Sequence, residues 1–221
     1  MLDNKARYLQ IAFNYDLDLV RRVLPNIPFS ERIWIEAGTP FIKRVGVEGI
    51  RLMRRLWRGV IVADLKTTDG AVDEVEMVYR AGANAITVLG SSPTETLNFF
   101  IAHCQEHGLI SMIDMLGVGD PLKVLLPLRM PPDVVVLHRG RDEENTRGKM
   151  IQYRHVNRVR GKFDVLISAA GGVDLREARS AIFNGASIVV VNIVSPGKPW
   201  EGIRTDADVG GMASRFLETI E

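Results

Sequence analysis

The sequence has little of what marks a secreted, membrane-spanning or polyanion-binding protein. Its 221 residues include one cysteine, Cys104, so no disulfide can form within the chain, which fits a reducing compartment. No apolar run approaches the roughly 18 residues of a membrane span, and the polar start lacks a signal-peptide pattern. The 28 Lys and Arg residues balance 27 Asp and Glu residues, which gives no reason to expect nucleic acid or a membrane as partner. We therefore expect a cytoplasmic protein in which any attraction for an anionic ligand is local.

Short apolar runs recur along the chain and alternate with helical patterns. The runs predict strands at 8–13, 33–37, 60–63, 85–89, 109–113, 134–137, 165–169 and 188–191. Because they are apolar throughout instead of alternating with polar residues, they suit parallel strands buried on both faces. Eight such strands between helices favour a closed barrel over an open doubly wound sheet. The prediction is an α/β fold, a single (β/α)8 TIM barrel over residues 1–221.

Polar residues follow several of these runs directly, at the strand ends where TIM barrels carry their active sites. Four of them stand at the same end of four different strands: Glu36, Asp64, Asp114 and His138. Carboxylates and histidine are costly at such positions unless they are paired or lie in a solvated cleft. A structural role explains any one of them but not the whole set. The pattern therefore predicts an active site.

Glu36 and Asp64 are hard oxygen donors on neighbouring predicted strands, which predicts a Mg²⁺ site completed by water and substrate oxygens. No Cys/His spacing in the sequence suggests zinc. Lys66 is two residues beyond Asp64, so in an extended segment both side chains face the same side. An ammonium held between carboxylates stays protonated and suits stabilisation of an oxyanion better than Schiff-base chemistry. A surface ion-pair cluster explains the segment 64–69 equally well.

Histidine and glycine add two further candidates. His138 has the intrinsic pKa of a general acid or base, although a lone strand-end histidine is more often structural. Gly171 and Gly172 can offer backbone N–H groups to a phosphate, helped by a helix starting near Asp174, or can form only a tight turn. The other three histidines fall in helical segments and are assigned solvated or packing roles: His103, His107 and His155.

The motif Asp64-x-Lys66-x-x-Asp69 resembles the signature of the orotidine 5′-monophosphate decarboxylase suprafamily. Within it the chain most resembles the 3-hexulose-6-phosphate synthases. The matching stretches are 9–12, 35–40, 63–69, 114 with 120–121, 138–142 and 170–172. The resemblance implies a Mg²⁺-dependent aldolase that interconverts ribulose 5-phosphate plus formaldehyde and 3-hexulose 6-phosphate through a metal-bound enediolate.

The resemblance also implies a role for each matching residue. Glu36 and Asp64 would bind Mg²⁺, and Lys66 would lie near the enediolate oxygen. His138 would move the proton at the carbon next to the carbonyl. The family pattern implies a homodimer in which Asp69 is contributed across the interface.

Three positions separate the subfamilies. Asp114 and Ala170 resemble the residues that the synthases carry at these two positions. The related 3-keto-L-gulonate-6-phosphate decarboxylases carry glutamate and threonine there instead. Arg141 instead matches the decarboxylases. Decarboxylation of a sugar-phosphate keto acid is therefore the alternative activity.

Two departures from the family pattern concern the substrate. Asn14 replaces an aspartate after strand one, and Val191-Asn192 replaces the Gly-Arg pair that usually holds phosphate after strand eight. Backbone amides, with Lys198 or Arg204, can still contact a phosphate there, but bidentate arginine recognition is lost. These departures leave open a diverged barrel that binds a phosphosugar without turnover.

Overall fold

A computed structural model describes residues 3, 5–144, 146 and 150–221. Eight parallel strands pair in chain order, and β1 pairs with β8 to close the sheet into a barrel. The strands are β1 (Tyr8–Phe13), β2 (Ile33–Ala37), β3 (Ile61–Thr67), β4 (Ala85–Leu89), β5 (Ile110–Asp114), β6 (Val134–His138), β7 (Leu166–Ala170) and β8 (Ile188–Val194). The predicted (β/α)8 fold is confirmed.

Helices cover the outside of the barrel. They are α1 (Leu17–Val23), α2 (Thr39–Val45), α3 (Val47–Leu56), α4 (Ala71–Ala81), α5 (Thr94–Glu106), α6 (Pro121–Leu125), α7 (Arg141–Glu144), α8 (Val156–Arg160), α9 (Leu175–Phe183) and α10 (Val209–Thr219). Two 3₁₀ turns lie at Leu24–Asn26 and Tyr153–His155. Within the described part of the chain, no helix has the length and apolar character needed to cross a membrane.

Aspartate side chains start four of these helices. They accept backbone N–H groups of the first turn that have no partner inside the helix, and they are Asp16, Asp120, Asp174 and Asp208. Such caps stabilise a helix by about 1 kcal/mol each. The cap at Asp174, which accepts from the Glu177 amide at 2.7 Å, starts α9 where the sequence predicts a helix.

The barrel strands carry two apolar layers because successive side chains point to opposite faces. One layer fills the space between sheet and helices, with Leu9 and Ile11 of β1 among its members. The other fills the barrel axis, with Tyr8 and Trp34 at its base. Towards the carboxyl ends of the strands, the axial positions change from apolar to polar. This change places the polar residues of several strands around one opening.

Two strands extend at least three residues beyond the ends that the sequence predicts. β3 continues to Thr67, and its pairing with β4 shifts register between Ala63 and Thr67. β8 continues to Val194, where it pairs in parallel with an unpredicted two-residue strand, β9 (Ile203–Arg204). Both extensions contain polar or charged residues, so a prediction based on apolar runs ends too early.

Candidate active site

A cavity of about 380 Å³ opens at the carboxyl ends of the strands, a size that suits a small molecule. Nine residues predicted for the site line it: Asn14, Glu36, Asp64, Lys66, Asp114, His138, Arg141, Gly171 and Asn192. Three others lie outside the lining: Asp69, Gly172 and Val191. The cavity thus gathers predicted residues from the carboxyl ends of β1, β2, β3, β5, β6, β7 and β8.

Lys66 lies between two carboxylates. Its Nζ is 2.6 and 2.8 Å from the two carboxylate oxygens of Asp64 and 3.1 Å from Oδ2 of Asp114. Burial disfavours the charged amine, but the two carboxylates outweigh burial and raise the pKa of Lys66 above its ordinary value. The side chain is therefore an ammonium, which can stabilise a developing oxyanion but cannot act as an amine nucleophile.

The backbone of β3 is irregular where this contact forms. Lys66 has a φ of 52°, in the left-handed region that side chains other than glycine rarely adopt. Its N–H donates at 3.0 Å to a side-chain oxygen of the neighbouring strand β4, Thr87 Oγ1. The prediction of a regular extended segment is therefore wrong, although the Lys66 and Asp64 side chains do contact each other. A left-handed residue costs on the order of 1 kcal/mol, and such strain tends to occur at functional sites.

Asp64 is fixed by two threonines that the sequence analysis did not single out. Thr39 Oγ1 donates to Oδ2, and Thr87 Oγ1 donates to Oδ1, each at 2.7 Å. Burial disfavours the carboxylate, yet Lys66 and these hydroxyls outweigh burial and lower the pKa of Asp64 to about 2. Thr87 occupies an axial position of β4, two residues after Ala85. Because side chains of a strand alternate between the two faces of the sheet, this position could have identified Thr87 as a residue of the site.

Glu36 lies deeper in the barrel and accepts from Gln10 Nε2 at 2.6 Å. Burial, followed by repulsion from Asp64, raises its pKa to about 7. The other amide atom, Gln10 Oε1, is buried and has no hydrogen-bond partner among the described residues. Gln10 could have been identified from the sequence, because it is a polar residue inside the otherwise apolar run of β1.

These donors fit a divalent cation. Three buried carboxylates, on Glu36, Asp64 and Asp114, face one ammonium and one histidine, and burial together with repulsion from Asp64 raises the pKa of Glu36. The carboxylate oxygens of Glu36 and Asp64 are hard donors of the kind that Mg²⁺ prefers. A cation between these two side chains would offset both the burial and the repulsion.

His138 is oriented by Asp114. Its Nδ1 lies 2.8 Å from Asp114 Oδ2, and Asp114 Oδ1 accepts the Leu116 amide at 2.9 Å. A proton on Nδ1 leaves the lone pair on Nε2, so the ring can accept a proton there. Burial disfavours the imidazolium, but the Asp114 carboxylate outweighs burial and raises the pKa of His138.

The turn after β7 requires glycine. Gly171 and Gly172 have φ values of 108° and 59°, and a Cβ on Gly171 would lie 2.0 Å from the carbonyl oxygen of Arg139. The Arg139 guanidinium donates to the carbonyl oxygens of Gly171 and Gly172 at 2.9 and 3.3 Å. Gly171 lines the cavity, whereas Gly172 lies behind it, so the two glycines do not play equal parts.

Neutral residues form the wall where β8 meets β1. Asn14 Nδ2 donates to Asn192 Oδ1 at 2.9 Å, and both residues line the cavity. Val191 points the other way, fully buried in the layer between sheet and helices. The Val191 side chain therefore does not face the cavity, because its neighbour takes the axial position. The assignment of the Val191 backbone to phosphate binding stays a prediction.

Trp200 of the loop after β8 lies against a residue of the cavity wall. The Arg141 guanidinium lines the cavity and lies 5.2 Å from the centre of the Trp200 ring. Neither cation proposed from the sequence for this loop lines the cavity, since Arg204 contacts Asp206 and the carbonyl oxygen of Lys198. Trp200 was not among the residues predicted for the site.

Asp69 lies in the exposed segment between β3 and α4. It does not line the cavity formed by its own chain. Its assignment to a partner's site therefore stays a prediction.

The barrel and the buried acid, lysine and histidine array define a TIM-barrel enzyme equipped for acid–base chemistry. A model described as the orotidine 5′-phosphate decarboxylase/HUMPS family matches residues 8–192. The chain belongs to that family.

Three similar proteins place the chain within the family. The bifunctional enzyme Fae/Hps of Methanothrix thermoacetophila is 38% identical over 216 residues, which are 97% of this chain and 53% of that protein. The chain therefore spans about half the length of the curated relatives it matches. The 3-hexulose-6-phosphate synthase of Salmonella typhimurium has a TM-score of 0.82 at 25% identity, covering 96% of this chain and 98% of that one. The 3-keto-L-gulonate-6-phosphate decarboxylase of Vibrio cholerae shares the fold, with a TM-score of 0.72 at 21% identity and 98% coverage of both chains.

Proposed function

We propose that this chain is a Mg²⁺-dependent aldolase of the 3-hexulose-6-phosphate synthase type. It would interconvert ribulose 5-phosphate plus formaldehyde and 3-hexulose 6-phosphate. The observation that carries the proposal is the continuous contact from Asp64 through Lys66 and Asp114 to His138, with Glu36 beside it. The relatives named above support the choice of substrates.

The proposed reaction needs a base, a stabilised anion and an aldehyde acceptor. Neutral His138 removes a proton from the sugar carbon next to the carbonyl, which leaves an enediolate. The Lys66 ammonium stabilises the negative oxygen, because a fixed charge in a buried site costs no reorganisation. The enediolate carbon then attacks formaldehyde to form the new carbon–carbon bond. The resulting alkoxide takes up the proton that His138 removed, which returns His138 to its neutral form.

Glu36 and Asp64 are the residues we propose to hold Mg²⁺. When bound, the ion supplies a Lewis acid that polarises adjacent substrate oxygens. Asp64 remains ionised because its pKa is about 2. Glu36 must lose a proton at a pKa of about 7, so ion and proton compete for it.

We propose that the phosphate lies on the β7 and β8 side. Gly171 offers its backbone N–H, Asn192 a neutral amide and Arg141 a positive charge, and all three line the cavity. We also propose a single domain that assembles as a homodimer, in which the exposed Asp69 completes the partner's site.

The direct test follows formaldehyde consumption with ribulose 5-phosphate, in Mg²⁺ and in EDTA. The proposal expects turnover in Mg²⁺ and its loss in EDTA. Turnover that persists in EDTA would contradict the metal assignment. Calorimetric binding of ribulose 5-phosphate without product would favour a barrel that binds a phosphosugar and does not turn it over.

A second candidate is decarboxylation of 3-keto-L-gulonate 6-phosphate. The observation that favours it is the position of Arg141 in the cavity wall, since this residue is the one that resembles the decarboxylases. Carbon dioxide release from that substrate at a rate above aldol cleavage would select this candidate. The comparison should use the same protein preparation with both substrates.

A further inference from the structure

A cluster of metal-ligand side chains lies on the outside of the barrel, away from the cavity. Glu76 of α4, His103 of α5 and His107 just after α5 each bring one potential ligand atom within 4.8 Å of the others. In the described part of the chain, this is the one group of three or more His, Cys, Asp or Glu side chains that meets this distance. None of the three residues lines the cavity.

The geometry points to a binding site for a divalent transition ion of the Zn²⁺ class between α4 and α5. Two imidazoles and one carboxylate form a mixed nitrogen and oxygen donor set, which suits Zn²⁺ better than Mg²⁺. Water would complete the coordination. The packing or solvated roles assigned to His103 and His107 from the sequence are then incomplete, because their third partner comes from a different helix.

The contact between the two helices already has the spacing that an ion needs. His107 Nε2 lies 3.0 Å from Glu76 Oε2. Two ligands at the usual zinc distance of about 2.0 to 2.1 Å lie roughly 3.3 Å apart in tetrahedral geometry. For this pair an ion can therefore replace the direct contact with shifts of a few tenths of an ångström, and the ligand atom of His103 lies within 4.8 Å of both.

The surroundings restrain the ligands and favour positive charge. Glu106 lies 2.8 Å from His103 Nδ1, which restrains that ring and adds a second carboxylate. The Tyr79 ring packs on His107 with centroids 4.5 Å apart. The cluster also lies at the C-terminal end of α5, where the helix dipole favours a cation. The side chains of His103, His107 and Glu76 are 24%, 23% and 31% exposed, so water and ions can reach them.

Arg80 opposes the site in part. Its Nε lies 2.6 Å from Glu76 Oε1, the oxygen that does not face His107. This leaves Oε2 for the ion but places a positive charge nearby. Replacing Arg80 with glutamine should therefore tighten zinc binding. The same replacement of an arginine in another surface ion pair should leave zinc binding unchanged.

The experiment measures Zn²⁺ binding by competition with a chromophoric chelator, and Co²⁺ binding by visible absorption, on protein freed of metal. The variant Glu36→Gln/Asp64→Asn removes the proposed Mg²⁺ site and should still bind one Zn²⁺. Adding Glu76→Gln, which is close in shape and exposes no new surface, should weaken that binding by more than the roughly 10- to 100-fold that loss of an outer-shell partner costs. Glu48→Gln, which removes an exposed carboxylate paired with Arg51 on α3, is the matched control and should change nothing.

A second measurement protects the test against misfolding. Zn²⁺ that binds only the folded state should raise the melting temperature of Glu36→Gln/Asp64→Asn, and His103→Ala/His107→Ala in the same background should abolish this rise while retaining the circular dichroism of a folded barrel. The proposal is overturned if Glu36→Gln/Asp64→Asn binds no Zn²⁺. It is equally overturned if Glu76→Gln or His103→Ala/His107→Ala leaves the affinity unchanged.

Discussion

The opening of the cavity, its mouth, has two unlike sides. On the side formed by β3, β5 and β6, ionised side chains contact one another, whereas on the side formed by β7, β8 and β1 the contacts are made by backbone groups and neutral amides. On the first side, Lys66 joins Asp64 to Asp114, and Asp114 orients His138. On the second, Asn14 pairs with Asn192. Buried ions need their partners far more than neutral groups do. We therefore expect the first side to tolerate little change and the second side to accommodate different substrates.

The largest effect is expected at Lys66. Lys66→Met should lower kcat for aldol addition by about 10²- to 10³-fold, because loss of one group that stabilises an oxyanion typically has that effect. Lys198→Met in the loop after β8 is the matched control, since Lys198 is exposed and does not line the cavity. Steady-state kinetics of both variants measures the contrast. Equal effects of the two changes would remove the distinction between the two sides.

Glu36→Gln should separate activity from stability. We expect Mg²⁺ affinity to fall by at least about 10-fold, because a proposed ligand is lost. In EDTA at pH 8, however, the variant should be more stable. Burial and Asp64 raise the pKa of Glu36 from 4.5 to about 7. The folded state therefore loses stability as the pH rises between these values, by about 3 kcal/mol above pH 7.

Urea unfolding of wild type and Glu36→Gln in EDTA checks the sign. The gain should be present at pH 8 and should vanish near pH 4.5, where the folded state keeps Glu36 protonated. A variant less stable than wild type at pH 8 would contradict the raised pKa of Glu36. Gln10→Leu, which removes the hydrogen bond to Glu36, should raise the pKa of Glu36 further.

The same contrast explains what could be predicted from the sequence. Glu36, Asp64, Asp114 and His138 were found because ionisable side chains directly after apolar runs are costly without a function. Thr87 and Gln10 were missed because neutral polar residues in a strand carry no such cost. Two further features depend on pairing between strands, which apolar patterns do not record. They are the left-handed backbone at Lys66 and the orientation of β8 that buries the Val191 side chain.

Asp114→Asn should move the pH dependence of the reaction. The Asp114 carboxylate raises the pKa of His138 against the effect of burial, so its loss should lower that pKa. Because the base must be neutral, wild-type activity should fall as the pH drops through a pKa above the ordinary 6.5, and the acid limb of the variant should lie at lower pH.

Stability gives an independent check of that sign. A raised pKa means that protonation of His138 stabilises the folded state below about pH 6.5, and that this contribution is lost as the pH rises through the folded-state pKa. Titration of His138 by NMR in wild type and Asp114→Asn measures both values. An unchanged pKa would mean that Asp114 does not control the histidine.

The smallest effect is expected on the neutral side, at Trp200. A cation–π contact at a partly exposed site contributes about 0.5 to 1 kcal/mol, so Trp200→Ala should raise the KM for ribulose 5-phosphate roughly 2- to 5-fold. The KM for formaldehyde should not change, because formaldehyde carries no phosphate for Arg141 to hold. kcat should also be unchanged, since a contact made equally in the bound substrate and the transition state affects binding alone. Trp200→Phe should keep most of the wild-type KM, as it retains an aromatic face for the guanidinium. An equal fall in kcat would instead place Trp200 with the reacting groups and break the division between the two sides of the mouth.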